Sequence, residues 1–578
     1  MPTLLRLKFL NMNIKRLCCV AYLLLFFPVA CSSSYDTKDK STTKGGYLRS
    51  ITGKLTGALS AKEHKSLGIT YFKKGMTEEA IDEFNFALQG IHQDGELYHY
   101  LGKAYLETDQ LGKAINDLNN AITYYDKSNT SGKAGAYNDL GLAYKKKNDF
   151  TEAFSALNKC LELDPSVADA YYTMALLHLE KDQLNESIEF LKKAISLDAE
   201  NSDFHFSLGL AFYRKNLSKK ALMEFQKTLD LNPKDAEAHN YSGIIYYETD
   251  DIEKSIFSHK IAIQLKNNYT DAYNNLGIAL FAQNNVKEAK DAFAFALRLK
   301  PDFAEAHYNL GLIYSKEGSS KEAIESLEQA IAINDAIAPA HFKLGEIYAE
   351  SNMPEKALAE YENAFSDDPN YEEAFYNYGE LSAATGEIAK SITAWKKTLE
   401  INPTNADAYF NLGVAFYNQG KIDNAISLWL KALKINPDDY TTLNNIADAY
   451  EAKGKKDKAI KTWEKIIEIY PDNALICYKL GNAYAEKNMY ASALPLWEQA
   501  VTIDPAFVNA YYNLGNIYKK IGKQDEALEV FSKLADIAPD DIDAHKNLWF
   551  LYKEKGMNSE AQTELKIYNK LKSLQTEE

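Results

Sequence analysis

Residues 406–439 read ADAYFNLGVAFYNQGKIDNAISLWLKALKINPDD. Tyr409, Leu412, Gly413 and Phe416 occupy the fourth, seventh, eighth and eleventh places of this stretch, the spacing of one apolar stripe on a helix. Nine residues beyond Phe416 comes Ala425, then Trp429 four later and Ala432 three after that, which defines a second amphipathic helix. Pro437 follows at the point where that helix must stop. Gly413, Ala425 and Ala432 are small enough to let the two helices approach closely. The stretch reads as a helix–turn–helix unit of 34 residues.

The same unit recurs along the chain. The pairs Leu67-Gly68, Leu101-Gly102, Leu140-Gly141, Leu208-Gly209, Leu276-Gly277, Leu310-Gly311, Leu344-Gly345, Leu412-Gly413, Leu480-Gly481 and Leu514-Gly515 stand 34 residues or a multiple apart. One interval, ending at Leu140, is 39 residues, an insertion of five around Asn129-Thr130-Ser131-Gly132-Lys133. Starting at Ala61, fifteen units reach about residue 575, leaving 576–578 as a tail. In length and in its small-large-small signature the unit resembles the tetratricopeptide repeat. That resemblance implies an all-α fold, a right-handed superhelical solenoid of helix pairs whose first helices line the concave face. Each repeat touches only its neighbours, so 578 residues need not mean several domains.

Composition narrows the function classes. The formal net charge is −16, and removing residues 1–30, which carry Arg6, Lys8, Lys15 and Arg16 and no acid, would make it four charges more negative. Affinity for nucleic acid rests mainly on Lys and Arg releasing counterions, so no nucleic-acid partner is expected. Cys160 and Cys477 lie far apart at core positions, with no disulfide framework and no paired C-x-x-C.

The amino terminus carries an address. Cys18 to Val29 is an apolar run preceded by Lys15 and Arg16, too short to span a bilayer comfortably and shaped like a secretory signal over residues 1–30. Met12 as well as Met1 would serve as its start. Pro28-Val29-Ala30-Cys31 resembles a bacterial lipobox, which implies lipidation at Cys31 and an anchor in the cell envelope. Ser32, not Asp, follows the cysteine, which by the same analogy directs the protein to the outer membrane. A signal peptide cut after Ala30, giving a secreted protein, and an uncleaved anchor are the alternatives. Residues 31–60, with their Ser, Thr, Lys and Gly, read as a flexible tether before the repeats at 61–575.

Catalysis needs convergent groups, whereas the notable residues here recur with the repeat. His64, His205, His239, His307, His341 and His545 hold the core-facing fourth position and read as filler, not as metal ligands. Trp395, Trp429, Trp463 and Trp497 read as a stacked ladder in the large apolar slot of the second helix. Phosphate-binding glycine loops, zinc-protease, nucleophile-elbow and calcium-loop patterns are absent, so no enzyme, cofactor or metal is expected.

The sixth position is different, because it points almost opposite the core stripe. It varies over the first six units, as Ser66, Tyr100, Asp139, Thr173, Ser207 and Tyr241. Beyond them it holds Asn275, Asn309, Asn377, Asn411, Asn445, Asn513 and Asn547, interrupted by Lys343 and Lys479. Asparagine is a mediocre helix former with no expected packing role on that face, and its amide matches a peptide backbone. The row resembles the asparagine ladder in the repeat domain of O-linked N-acetylglucosamine transferase, where such residues grip a bound polypeptide; no counterpart of that enzyme's catalytic domain is expected. Copying of Asn by unit duplication is the competing explanation. The aromatic fifth position, Tyr308, Phe342, Tyr376, Phe410, Tyr478 and Tyr512, is expected to pack on the next unit. The sequence thus points to an envelope-anchored scaffold that binds extended segments of other proteins in its concave groove, touching the membrane through a lipid only. The alternative is a structural subunit of a fixed envelope assembly, docking by its convex face or edges.

Overall fold

The computed structural model describes residues 59–575, so Cys31 and the other expectations for the amino terminus lie outside the described residues. Among the described residues thirty helices follow one another from Ala61–Lys73 to Asn558–Gln575, with no strand. They form two compact units, one ending at Asp335 and the other beginning at Ala336. The first holds repeats 1–8 and the second repeats 9–15. Both are all-α solenoids in which the helices of one repeat pack mainly on each other and on the adjoining repeats. No helix among the described residues is long and apolar enough to cross a membrane.

The turn inside each repeat has one conformation throughout. Its pivot has positive φ in all fifteen repeats, from Gly75 to Gly556, and is always Gly, Asn or Asp. In repeat 11 the first helix Ala406–Asn418 ends at Gly420, φ 76°, and Lys421 N–H donates back to Phe416 C=O at 2.9 Å. That six-to-one bond closes a Schellman turn, satisfying carbonyls the helix end leaves free. The carbonyl acceptor is the eleventh residue of the repeat, so the conserved spacing of stripe and pivot sets the turn.

The core follows from one size match. A Cβ added to Gly413 would lie 2.6 Å from Trp429 Cδ1 and nearer still to its Nε1, and one added to Gly277 2.7 Å from the Phe293 ring. Gly379 meets Trp395 and Gly481 meets Trp497 in the same way. In these repeats the large side chain of the second helix lies on the glycine of its own repeat, whereas repeat 12 has Ala447 at that place. All four tryptophans are buried, and Trp395, Trp429 and Trp497 are seated on a glycine, not on one another. Cys160 and Cys477 are fully buried, and burial pushes the Cys160 thiol up to about 12.

The insertion lengthens a helix. The first helix of repeat 3 is Thr130–Lys146, 17 residues, where other first helices have 13. Tyr125, in the loop before it, donates its hydroxyl to His99 Nδ1 at 3.0 Å, and His99 Nε2–H donates to Asp139 at 2.8 Å. A side chain at Gly95 would stand 2.6 Å from the Tyr125 backbone, so glycine there admits the extra turn.

Candidate functional site

On a first helix the second, sixth, ninth and thirteenth positions share one face, away from the stripe that packs on the second helix. The first helices of successive repeats lie side by side, so this face is where one repeat's side chains meet the next. The structure places the sixth-position asparagines here and gives most of them a partner. Asn275 Nδ2 donates to Asn240 Oδ1 at 3.2 Å, and Asn309 Nδ2 to Asn274 Oδ1 at 3.1 Å. Asn411 Nδ2 reaches both Tyr376 Oη and Glu380 Oε1 at 3.3 Å. Asn513 Nδ2 reaches Tyr478 Oη at 3.4 Å and Asn482 Oδ1 at 2.8 Å. Asn377 is bonded to Tyr361, in the second helix of the preceding repeat. Asn547 donates to Asp543 C=O in its own helix and accepts from Lys519. Asn445 has no hydrogen-bond partner among the described residues.

This corrects the expectation that position six has no packing role. Asn411 is 1% exposed, and the other six are only part-buried. The physical reason is that a first helix packs not only on its own second helix but also on both helices of the repeat before it. Lys479 makes the point at an interruption of the row: its ammonium bridges Asn444 and Asp448 of the preceding repeat, at 3.4 and 2.7 Å. Of the fifth-position aromatics, Phe342 lies against Tyr371 and Tyr478 against Phe507 at ring distances of 5.1 and 5.0 Å, each partner being the last residue of the same repeat, just before the next first helix.

The histidines are not plain filler. His64, His205, His341 and His545 each bring Nδ1 within 2.5–2.6 Å of a carboxylate 19 residues on, Glu83, Glu224, Glu360 and Glu564. His239 and His307 donate instead to the carbonyls of Pro233 and Pro301. The recurring nineteen-residue His-to-Glu interval was readable in the sequence.

A row the sequence reading passed over stands at the second position. Asp169, Asp203, Glu237, Asp271 and Glu305 come one per repeat through repeats 4–8. Each lies in the first turn of its helix, where the dipole favours an acid. None has an ion pair among the described residues. All but Asp271 are exposed, Asp271 being part-buried. The carboxyls of Asp169, Asp203, Glu237 and Asp271 are nonetheless held above the usual range by partial burial first, with neighbouring acids adding to it and Lys266 and Lys300 pulling the other way at Glu237 and Asp271. Among the described residues no group of three or more His, Cys, Asp or Glu is gathered to hold a metal ion.

Comparison with known proteins gives one consistent result. Family models described as tetratricopeptide repeat match residues 134–167, 274–340, 406–439, 428–461 and 508–541. One described as TPR repeat matches 177–216, 379–420, 447–488 and 481–522. Together they cover more than half of the chain. A BBSome complex member BBS4 homolog of Drosophila melanogaster is 32% identical over 108 residues, 18% of this chain and 22% of that relative, so the match spans about a fifth of the relative's length. Among solved structures, YrrB, described as a TPR protein with an unusual peptide-binding site, is 25% identical, covering 32% of this chain and 95% of its own, with a TM-score of 0.29. The Cut9-Hcn1 assembly of the APC/C is 13% identical over 81% of this chain and 97% of its own, with a TM-score of 0.34.

Proposed function

Because this chain belongs to the tetratricopeptide repeat family and is a scaffold for protein–protein interaction, we propose that it holds extended, basic segments of partner proteins along its first-helix face while a lipid on Cys31 anchors it in the envelope of a bacterial cell, at the outer membrane. The observation that carries the partner reading is the row of five carboxylates, one per repeat and none in a direct ion pair among the described residues. An extended strand advances about 3.3 Å per residue and neighbouring helices stand roughly 8–10 Å apart, so one carboxylate would meet about every third guest residue. Lys and Arg are the complements, and the guest supplies the charge the row lacks. The asparagines enter this proposal through what their internal bonds leave over: the carbonyls of Asn275 and Asn309 and the whole amide of Asn445.

The test is a cross-linking pull-down from native membranes with the intact chain and with D203N, E237Q and D271N combined. The charge-neutral variant should lose partners severalfold, and the wild-type interaction should weaken with added salt. Unchanged capture by the variant would sink the groove reading. For the anchor, whose support is the apolar run before Cys31, labelling with a palmitate analogue should mark the protein. Cys31→Ala should abolish both label and membrane association, and a variant still pelleting after a salt wash would refute the anchor.

A second reading has its own observation. Met223 and Phe257, at one register in the second helices of repeats 5 and 6, are 63% and 66% exposed. They favour a structural subunit docking through its second helices. Met223→Ser with Phe257→Ser should then remove a partner of fixed stoichiometry, while the carboxylate variant keeps it.

A further inference from the structure

Repeat 6 departs from its neighbours in the one place a solenoid should be driest. Its first helix is Ala236–Glu248 and its second Ile252–Leu265. The large slot that elsewhere holds Phe, Leu, Tyr or Trp is His259, 1% exposed and lying on Gly243. Ser242 stands where the pair normally has leucine, and Ser255 where most repeats have alanine. Both hydroxyls are buried with no hydrogen-bond partner. Three polar residues thus stand together at core positions that hold Leu208, Ala221 and Phe225 in the repeat before and Leu276, Ala289 and Phe293 in the repeat after.

The hydrogen bonds assign the ring's proton. His259 Nδ1 lies 2.9 Å from Asn240 Oδ1, which also accepts from Asn275 Nδ2, while Asn240 Nδ2 donates to Tyr269 Oη at 3.3 Å. An amide oxygen can only accept, so Nδ1 carries the hydrogen and Nε2 holds the lone pair. Nε2 faces Gly243, where an added Cβ would stand 2.8 Å away, and meets no acceptor among the described residues. The groups around the ring are Asn240 and Gly243 of its own repeat, with Tyr269 and Asn275 one bond beyond Asn240. None is charged, and burial alone pushes the imidazole down to about 3. His205, His341 and His545, by contrast, each have a glutamate in place for a charged ring.

We propose that repeat 6 is a proton-operated weak point: a second proton, on Nε2 of His259, opens this repeat while the repeats around it stay folded. The proton would create a buried cation with an unpaired N–H and no counter-ion, a state relieved by exposing the ring to water. Glu237 and Asp271 sit on the first-helix face of repeats 6 and 7. Their raised carboxyls take up protons in the folded state and so act in the opposite sense, which makes the response specific to the imidazole.

Hydrogen exchange on the full chain at pH 7 and pH 5, corrected for intrinsic rates, tests this. Peptides from residues 236–265 should lose protection roughly tenfold or more at pH 5, while those from repeat 8, residues 304–333, should not. His259→Phe, the slot's usual aromatic, and the non-titrating His259→Gln should both abolish the pH response. Undiminished protection of repeat 6 at pH 5 would overturn the proposal. So would the same opening at pH 5 in His259→Phe, or equal loosening of repeats 6 and 8.

Discussion

Repeats 3–8 and repeats 9–14 share one 34-residue frame but join their first helices by different chemistry. In the N-terminal unit the ninth position is Leu142, Leu176, Leu210, Ile244, Ile278 and Leu312. In repeats 9–14 it is Glu346, Glu380, Asp448, Asn482 and Asn516, with Val414 among them. A polar ninth side chain between two helices needs a donor, and the sixth residue of the next repeat supplies it: Asn411 to Glu380, Lys479 to Asp448, Asn513 to Asn482. Where the ninth position is apolar, Asn275 and Asn309 turn to the fifth-position asparagines instead. The asparagine row is thus coupled to its surroundings one repeat back. The large slot changes too, from Phe, Leu or His to Tyr361 and four tryptophans, with Phe531 returning in repeat 14. The lesson is that the period fixes the backbone, while each pair of neighbours is left to satisfy its own polar atoms.

The largest effects should come from breaking the indole–glycine match that marks the C-terminal unit. Trp429→Ala removes a 2%-exposed ring and its N–H bond to Phe410 C=O, and should cost about 3–5 kcal/mol. Hydrogen exchange in Ala406–Asn418 would report it. The converse, Gly413→Ala, forces a methyl into a rigid indole and should cost about 1–3 kcal/mol. Gly311→Ala, facing the more adaptable Leu327, should cost less, and equal losses would contradict the distinction.

One group in each unit, His259 and Glu380, should answer acid with opposite signs. His259 has a folded pKa below its unfolded value, so its contribution falls as pH drops below about 6.5. From pH 7 to pH 5 wild type should lose about 2 kcal/mol locally relative to His259→Phe. Glu380 is raised to about 7 by burial, although Tyr376 and Asn411 both donate to it. It gains a proton in the folded state first, so stability rises as pH falls through about 7 toward 4.5. Relative to Glu380→Gln, wild type should gain about 1–2 kcal/mol between pH 7.5 and 5.5. Exchange protection in Glu372–Ala384 measures it, and a change of the other sign would refute the assignment.

The smallest effect sharpens the asparagine row. Asn513→Ala removes two inter-repeat bonds and should cost about 1 kcal/mol. Asn445→Ala removes none among the described residues and, with alanine's better helix propensity, should be neutral or slightly stabilising. Chemical denaturation of the two variants side by side decides it. Equal losses would mean that the bonds drawn across the face carry no weight.

By itself the sequence determined what repeats. The stripe at the fourth, seventh, eighth and eleventh positions, the Gly against a large residue and the closing proline are all within-repeat relations, and a helical wheel with a 34-residue period exposes them. The positive-φ pivot and the nineteen-residue His-to-Glu interval were equally legible in register, because they too lie inside one repeat. What only the tertiary structure decided are relations between repeats. A wheel gives one helix one partner, whereas each first helix here has a second neighbour, so a face that reads as solvent becomes an interface. That is why Asn411 is buried against Tyr376 and Glu380, while Asp203, Glu237 and Asp271 on the same face make no ion pair among the described residues.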